Sequence, residues 1–140
     1  MADLNLSRRA VAAGWEWQAG ALAINANGPV RVDGCDSFNE PFVWGKCQWS
    51  GERVELWVRE MPLPDFNDPA TRGCLLDQVR RRWGKQVYAV PICDAETITR
   101  WLAIVPDPAT DAWEWPEFEG ADEVLALLAA LEAAPKETGL

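Results

Sequence analysis

The sequence has no histidine, one tyrosine and no close pair of cysteines. Without histidine, Ser-His-Asp and Cys-His nucleophile systems, histidine general bases and histidine-ligated metals are all excluded. Carboxylate, lysine or tyrosine chemistry remains, with Tyr88 as the single phenol. Cys35, Cys47, Cys74 and Cys93 lie 12, 27 and 19 residues apart, whereas a zinc site usually includes one close pair of ligands. They read as reduced, mostly buried thiols behaving as small hydrophobes. No run of about 18 apolar residues occurs, so no membrane span is expected. The opening MADLNLSRRAVAAGW has two arginines but no apolar core of a secretory signal. A cytoplasmic location is therefore expected. Phosphate-binding G-x-x-x-x-G-K-S/T, dinucleotide-binding G-x-G-x-x-G and the EF-hand loop are also missing.

Basic residues are scarce in one region only. Residues 1–105 hold 13 acids against 12 bases, while residues 106–140 hold nine acids and Lys136 alone. Nearly all of the net charge of −9 therefore comes from the last quarter of the chain. Such a segment is repelled by nucleic-acid phosphates and attracted to basic protein surfaces. A solvated surface that keeps the protein soluble is the plainer account of the same charge.

What is present points to one α+β domain spanning 1–140, with 135–140 as a frayed tail. The best helix signal is Asp68–Gly84. Asp68 is a good N-cap, Pro69 suits the first helical position, and Gly84 suits a left-handed stop. Leu75, Leu76, Val79 and Trp83 recur along it at helical spacing. Residues 5–13 predict a short helix ended by Gly14, and Ala121–Ala134 a final helix ended by Pro135. Ala21–Asn25 and Val30–Asp33 predict strands around Asn27-Gly28-Pro29. Phe42–Trp49 is another apolar run. Arg53–Arg59 alternates, with Val54, Leu56 and Val58 on the expected buried face. Gln86–Cys93 and Ile98–Val105 predict a hairpin joined at Asp94–Thr97. The three prolines of 61–69 argue against regular structure there. Asp107–Gly120 reads as an extended acidic loop with a short strand at Ala112–Trp115. Short turns between strands predict a mainly antiparallel sheet with about three helices packed on one face.

Asp-Pro-Ala-Thr occurs at Asp68–Thr71 and again at Asp107–Thr110. The poor helix potential of WEWPEFEG makes the second copy turn chemistry rather than half of a duplication.

Nine tryptophans are a marked excess for 140 residues. Each indole buries roughly 200 Å², so a core this small cannot hide all nine, although most are expected to fill the core and its rim. Trp113 and Trp115 are the candidates for exposure, because Glu114, Pro116, Glu117 and Glu119 surround them. Aromatic anchors framed by acids suit docking on a basic protein surface. The candidate partner-binding residues are thus Trp113, Glu114, Trp115, Glu117 and Glu119. A mimic of nucleic-acid phosphates would need carboxylates over a continuous face, and only a local cluster is present. The basic run Arg80-Arg81-Arg82 with Lys85 suits the negative end of its helix, where Asp77 can also pair with Arg80 and Arg81. Asp107, Asp111 and the acids from Glu114 to Glu123 are too loosely spaced to specify a cation. No catalytic residue, metal or cofactor is assigned.

Three stretches together resemble a known family: Leu6-x-x-Arg9-Ala10-Val11-Ala12 with Trp15-x-Trp17, then Leu63–Gly84, then Glu123–Pro135. The central one matches the pattern L-P-D-x-x-D-P-A-T-x-G-C-L-L-x-x-V-R-x-x-W-G. The family comprises small uncharacterised proteins of tailed bacteriophages and prophages of Gram-negative hosts. The resemblance covers about a third of the chain and leaves out Ala21–Met61. It carries over no activity and no catalytic residue. It implies a phage accessory gene product acting inside the host bacterial cell. The leading expectation is therefore a non-enzymatic binding protein that docks on a host or phage protein, with inhibition of a bacterial defence system as its use. The alternative is a small carboxylate-based enzyme or a ligand-binding domain with a tryptophan-lined pocket. Direct nucleic-acid binding through Arg80–Lys85 is a third and disfavoured reading.

Overall fold

The computed structural model describes residues 4–25, 28–58 and 62–135. Three helices and three small antiparallel sheets make an α+β fold. The expected strands do not merge into one sheet. They form two compact units, residues 1–74 and 75–140.

The first unit begins with α1 (Leu4–Ala12), which ends as Gly14 predicts. Gly14 has φ +95, and Trp15 N–H reaches back to the Ala10 carbonyl at 2.9 Å, closing a Schellman cap. Strands β1 (Leu22–Asn25), β2 (Gly28–Arg31) and β6 (Leu63–Pro64) form one sheet in the order β2-β1-β6. β6 lies where the prolines argued against regular structure. Two residues suffice there, because Pro64 sits on an edge strand and owes the ladder no donor. The second sheet is β3 (Gly34–Cys35), β4 (Pro41–Lys46) and β5 (Arg53–Trp57), in that order. Asn27, Arg59, Met61 and the tail after Pro135 that was expected to fray lie outside the described residues.

Trp15 and Trp17 are buried, and Trp15 meets Trp17 and Phe66 edge-on at 5.8 and 5.4 Å. Asn39 holds this Trp-Glu-Trp backbone in place. Its amide donates to the Trp15 carbonyl at 2.6 Å and accepts from Trp17 N–H at 2.7 Å. Asn39 has φ +60, a left-handed conformation that asparagine tolerates better than most residues.

Helix α2 (Pro69–Trp83) carries the chain from the first unit into the second. Its cap is built as the sequence predicts: Asp68 Oδ2 accepts from Thr71 N–H at 3.0 Å, and Gly84 ends it at φ +64. Leu75 and Val79 are fully buried, while Leu76 and Trp83 are only half-buried.

In the second unit, β7 (Tyr88–Asp94), β8 (Thr97–Ile104) and β9 (Glu117–Gly120) form a sheet in that order. Helix α3 (Glu123–Ala133) packs against all three strands. Asp122 caps α3 by accepting from Leu125 N–H at 2.8 Å. Val124, Leu127, Leu128 and Leu131 are buried as the periodicity requires. Gly120 is needed where β9 meets α3, since a Cβ there would run into the backbone of Leu125 and Ala126. The Trp83 indole donates to the Ala130 carbonyl at 2.9 Å and lies against Phe118.

One expectation about burial needs correction here. All four cysteines are thiols, but Cys74 alone is buried, and Cys35 and Cys93 are exposed. The tryptophans spread over core, rim and surface: Trp15 and Trp17 are buried, Trp83, Trp101 and Trp115 are half-buried, and Trp44, Trp49, Trp57 and Trp113 are exposed. The sheets are too small to cover the others, so the indoles end at rims and on hairpins.

Candidate functional site

The acidic segment after Val105 is closed at its base and open at its tip. Val105 N–H donates to the Pro116 carbonyl at 3.0 Å, which joins the end of β8 to the start of β9. Asp107 organises the entry. Its carboxylate accepts from Ala109 N–H at 3.0 Å, its carbonyl accepts from Thr110 N–H at 3.1 Å, and Lys85 Nζ lies 3.6 Å from Oδ1. An Asx turn of this kind needs only a short acceptor side chain at the right offset.

The expected strand at Ala112–Trp115 is instead a single 3₁₀ turn, Ala112–Glu114, and the strand comes later as β9. The cause is local. Trp115 folds inward, and its indole N–H donates to the Asp107 carbonyl at 2.9 Å. Trp115 is therefore half-buried and closes the loop, rather than being presented on its surface. Trp113 is presented: it is 80% exposed, with Glu114 exposed beside it.

Glu117 and Glu119 share one face of β9, opposite to Phe118, and both are exposed. Arg100 on β8 donates to Glu119 at 3.2 Å, so part of that charge is answered within the unit. The five predicted residues thus separate by role. Trp113, Glu114 and Glu117 face solvent, Glu119 is paired with Arg100, and Trp115 braces the loop. The segment offers an apolar anchor on a braced loop with carboxylates of one sign beside it. Among the described residues, no group of three or more Cys, Asp or Glu side chains is arranged to hold a metal ion.

The basic run of α2 is already engaged by its own unit. Arg80 Nε donates to the Val87 carbonyl at 2.8 Å, and Arg81 pairs with Asp77 at 3.0 Å. Arg80 thus turns to the carbonyl just beyond the helix, and Asp77 pairs with Arg81 instead of with both arginines. These bonds explain the arginines without a nucleic-acid ligand.

Sequence reasoning missed a second aromatic surface, on β4 and β5. Phe42 meets Trp44 and Trp57 edge-on at 5.1 and 5.4 Å, and the Arg53 guanidinium lies 4.3 Å from the centre of the Trp44 ring. Trp49, at the hairpin turn, is 93% exposed. The expected burial of Val54, Leu56 and Val58 fails: Leu56 is exposed and the two valines are intermediate. Alternation shows that a strand has two unlike faces, but it does not show that anything covers the apolar one. The turn Ser50-Gly51 and the excess of tryptophan were the available signals.

No helix among the described residues is long and apolar enough to cross a membrane. Comparison with protein-family models, with curated proteins and with solved structures returned no match.

Proposed function

We propose that the protein is a phage accessory binding protein that docks on a basic surface of a host or phage protein through Trp113. The supporting observation is that Trp113 stands almost fully in water on a loop held from both sides. The bonds from Val105 to Pro116 and from Trp115 to Asp107 hold the loop before any partner arrives. A held anchor loses less conformational entropy on binding than a mobile one. A tryptophan seated in a partner pocket is commonly worth about 2 kcal/mol or more. Glu114 and Glu117, exposed near it, favour a partner of positive potential and speed its approach. The phage setting rests on the resemblance of Leu63–Gly84, and inhibition of a bacterial defence system is the use that this setting suggests.

The test is affinity capture from a host lysate with wild type, Trp113→Ala and Glu114→Lys/Glu117→Lys. Trp115→Ala is unsuitable, because it removes the loop's own brace. Loss of one discrete captured protein with Trp113→Ala, and weakening of its capture by salt, are the expected results. Equal recovery of that protein by wild type and both variants sinks the assignment.

A further inference from the structure

Each three-stranded sheet has two edge strands, and five of the six edges carry a feature that discourages pairing. β2 contains Pro29 and β7 contains Pro91, each of which removes a backbone donor. β3 and β6 are two residues long. β9 presents Glu117 and Glu119 together, so a second copy in the same register would meet acid with acid. β5 is the exception among the described residues. It is five residues long, lacks proline and pairs on one side only, with β4.

The hydrogen-bond phase of β5 shows which groups face outward. Cys47 N–H donates to the Glu52 carbonyl at 2.8 Å and Val58 N–H to the Pro41 carbonyl at 2.9 Å. Both bonds place the even-numbered residues of β5 toward β4. The N–H and C=O groups of Arg53, Glu55 and Trp57 therefore point away from the sheet. Their side chains share the face that carries Trp44. Arg53 and Glu55 are both exposed.

Charges on an edge strand usually keep strands apart. Here they have opposite signs and are two residues apart, which makes the edge self-complementary. In an antiparallel pair of two β5 strands, a twofold axis at Val54 sets Arg53 opposite the second copy's Glu55, and Glu55 opposite its Arg53. The same register uses the outward backbone groups in reciprocal hydrogen bonds. It also brings Trp57 beside the second copy's Gly51, where open space surrounds the glycine. Val54 meets its own counterpart on the other face, flanked by the exposed Leu56. An axis at Glu55 would instead set that carboxylate against itself, so charge selects the register.

We propose that β5 pairs with β5 of a second copy across a twofold axis at Val54. Two reciprocal Arg53–Glu55 ion pairs then join the three-stranded sheets of both copies into one continuous sheet. This interface is isologous, as in most closed dimers. It is independent of Trp113 and its acidic loop. Strands this short bury less than the roughly 1,200 Å² of a stable complex, so the dissociation constant is expected on the order of 0.1 mM.

Sedimentation equilibrium from about 10 µM to about 1 mM tests the proposal. Wild type is expected to move from monomer to dimer across that range. Arg53→Glu and Glu55→Arg are each expected to weaken dimerisation by at least about tenfold. Mixing the two monomeric variants in equal amounts is expected to restore the dimer, because each then meets its opposite charge. The double exchange Arg53→Glu/Glu55→Arg is expected to dimerise like wild type. These sites are exposed, and circular dichroism verifies that each variant folds. A wild type that stays monomeric at about 1 mM overturns the proposal. So does undiminished dimerisation of both single variants, or a mixture that fails to recover. A monomeric wild type whose β5 amides become protected only when an unrelated extended peptide is added would assign the edge to a different strand, and also overturn it.

Discussion

The two Asp-Pro-Ala-Thr segments begin alike and then part. In both, the aspartate accepts from a backbone N–H just downstream, Thr71 in the first copy and Ala109 in the second, each at 3.0 Å. After Asp68 the chain continues into fifteen residues of α2. After Asp107 it closes a turn and runs out along an acidic loop. The difference lies in the residues downstream and in the contacts each copy makes. Behind Thr71 come Leu75 and Val79, which bury one side of a helix; behind Thr110 come Asp111, Trp113 and Pro116, which supply no such stripe. A cap starts a helix only where an apolar stripe makes the rest of it worth forming.

Tertiary partners deepen the contrast. Thr71 is fully buried, and its hydroxyl donates to Asp68 at 2.9 Å while accepting from Leu22 N–H at 2.8 Å. Thr110 is exposed and reaches only the Asp107 carbonyl, at 3.3 Å. Arg31 grips Asp68 with two bonds, at 2.6 and 3.1 Å, whereas Lys85 stands 3.6 Å from Asp107.

The largest expected effect that tests this contrast is Thr71→Val. It takes the acceptor from the Leu22 N–H at a fully buried threonine and should cost about 2–3 kcal/mol in urea unfolding. Thr110→Val should stay within about 0.5 kcal/mol. If the two costs match, burial is not what separates the copies. Next comes Asp68→Ala, which removes the cap and the Arg31 pair and should cost about 1–2 kcal/mol. Thermal unfolding of Asp107→Ala should reveal a smaller loss, under about 1 kcal/mol.

A third effect is on pH dependence. The Arg31 hydrogen bond first, then those from Thr71, hold the Asp68 carboxyl below its ordinary value of 3.8, against the opposing cost of burial. The folded state therefore binds this proton more weakly than the unfolded state does. Its stabilisation is complete above about pH 4 and is lost as pH falls through the lower folded value. Asp68→Asn should consequently lose less stability than wild type between about pH 4 and pH 2, read from urea midpoints. An identical acid limb in both proteins would remove Asp68 from the account. The smallest effect concerns isolated peptides. A peptide of residues 68–84 should show slight helicity by circular dichroism and one of residues 107–121 none, because short helices are marginal without tertiary packing.

Legibility in the sequence divides along the same line, between short-range and long-range contacts. Gly14, Asp68 and Gly84 set helix ends through bonds to residues a few positions away, so their roles were legible, whereas the cap at Asp122 starts the last helix two residues later than expected. The site at 106–120 was half legible. Acids and tryptophans placed it, yet the indole bond from Trp115 to the Asp107 carbonyl spans eight residues and reverses the role expected of Trp115. β9 escaped notice for a similar reason. Glu117–Gly120 is a strand because β8 lies beside it, and no local preference of Glu-Phe-Glu-Gly requires one. Arg53–Trp57 was recognised as a strand, but its exposed edge and faces were not.

The sequence by itself determined the α+β class, the three helices with the stop at Gly14 and both ends of α2, and the concentration of acid in the last quarter. Those depend on composition, short-range bonds and periodicity, all of which operate within a few residues. Tertiary structure alone decided that the strands divide among three sheets and which two of the nine tryptophans, Trp15 and Trp17, are buried. It also decided that Trp113, not Trp115, faces water. Burial and edge exposure depend on which distant surfaces meet, and strand pairing is not encoded in any one segment.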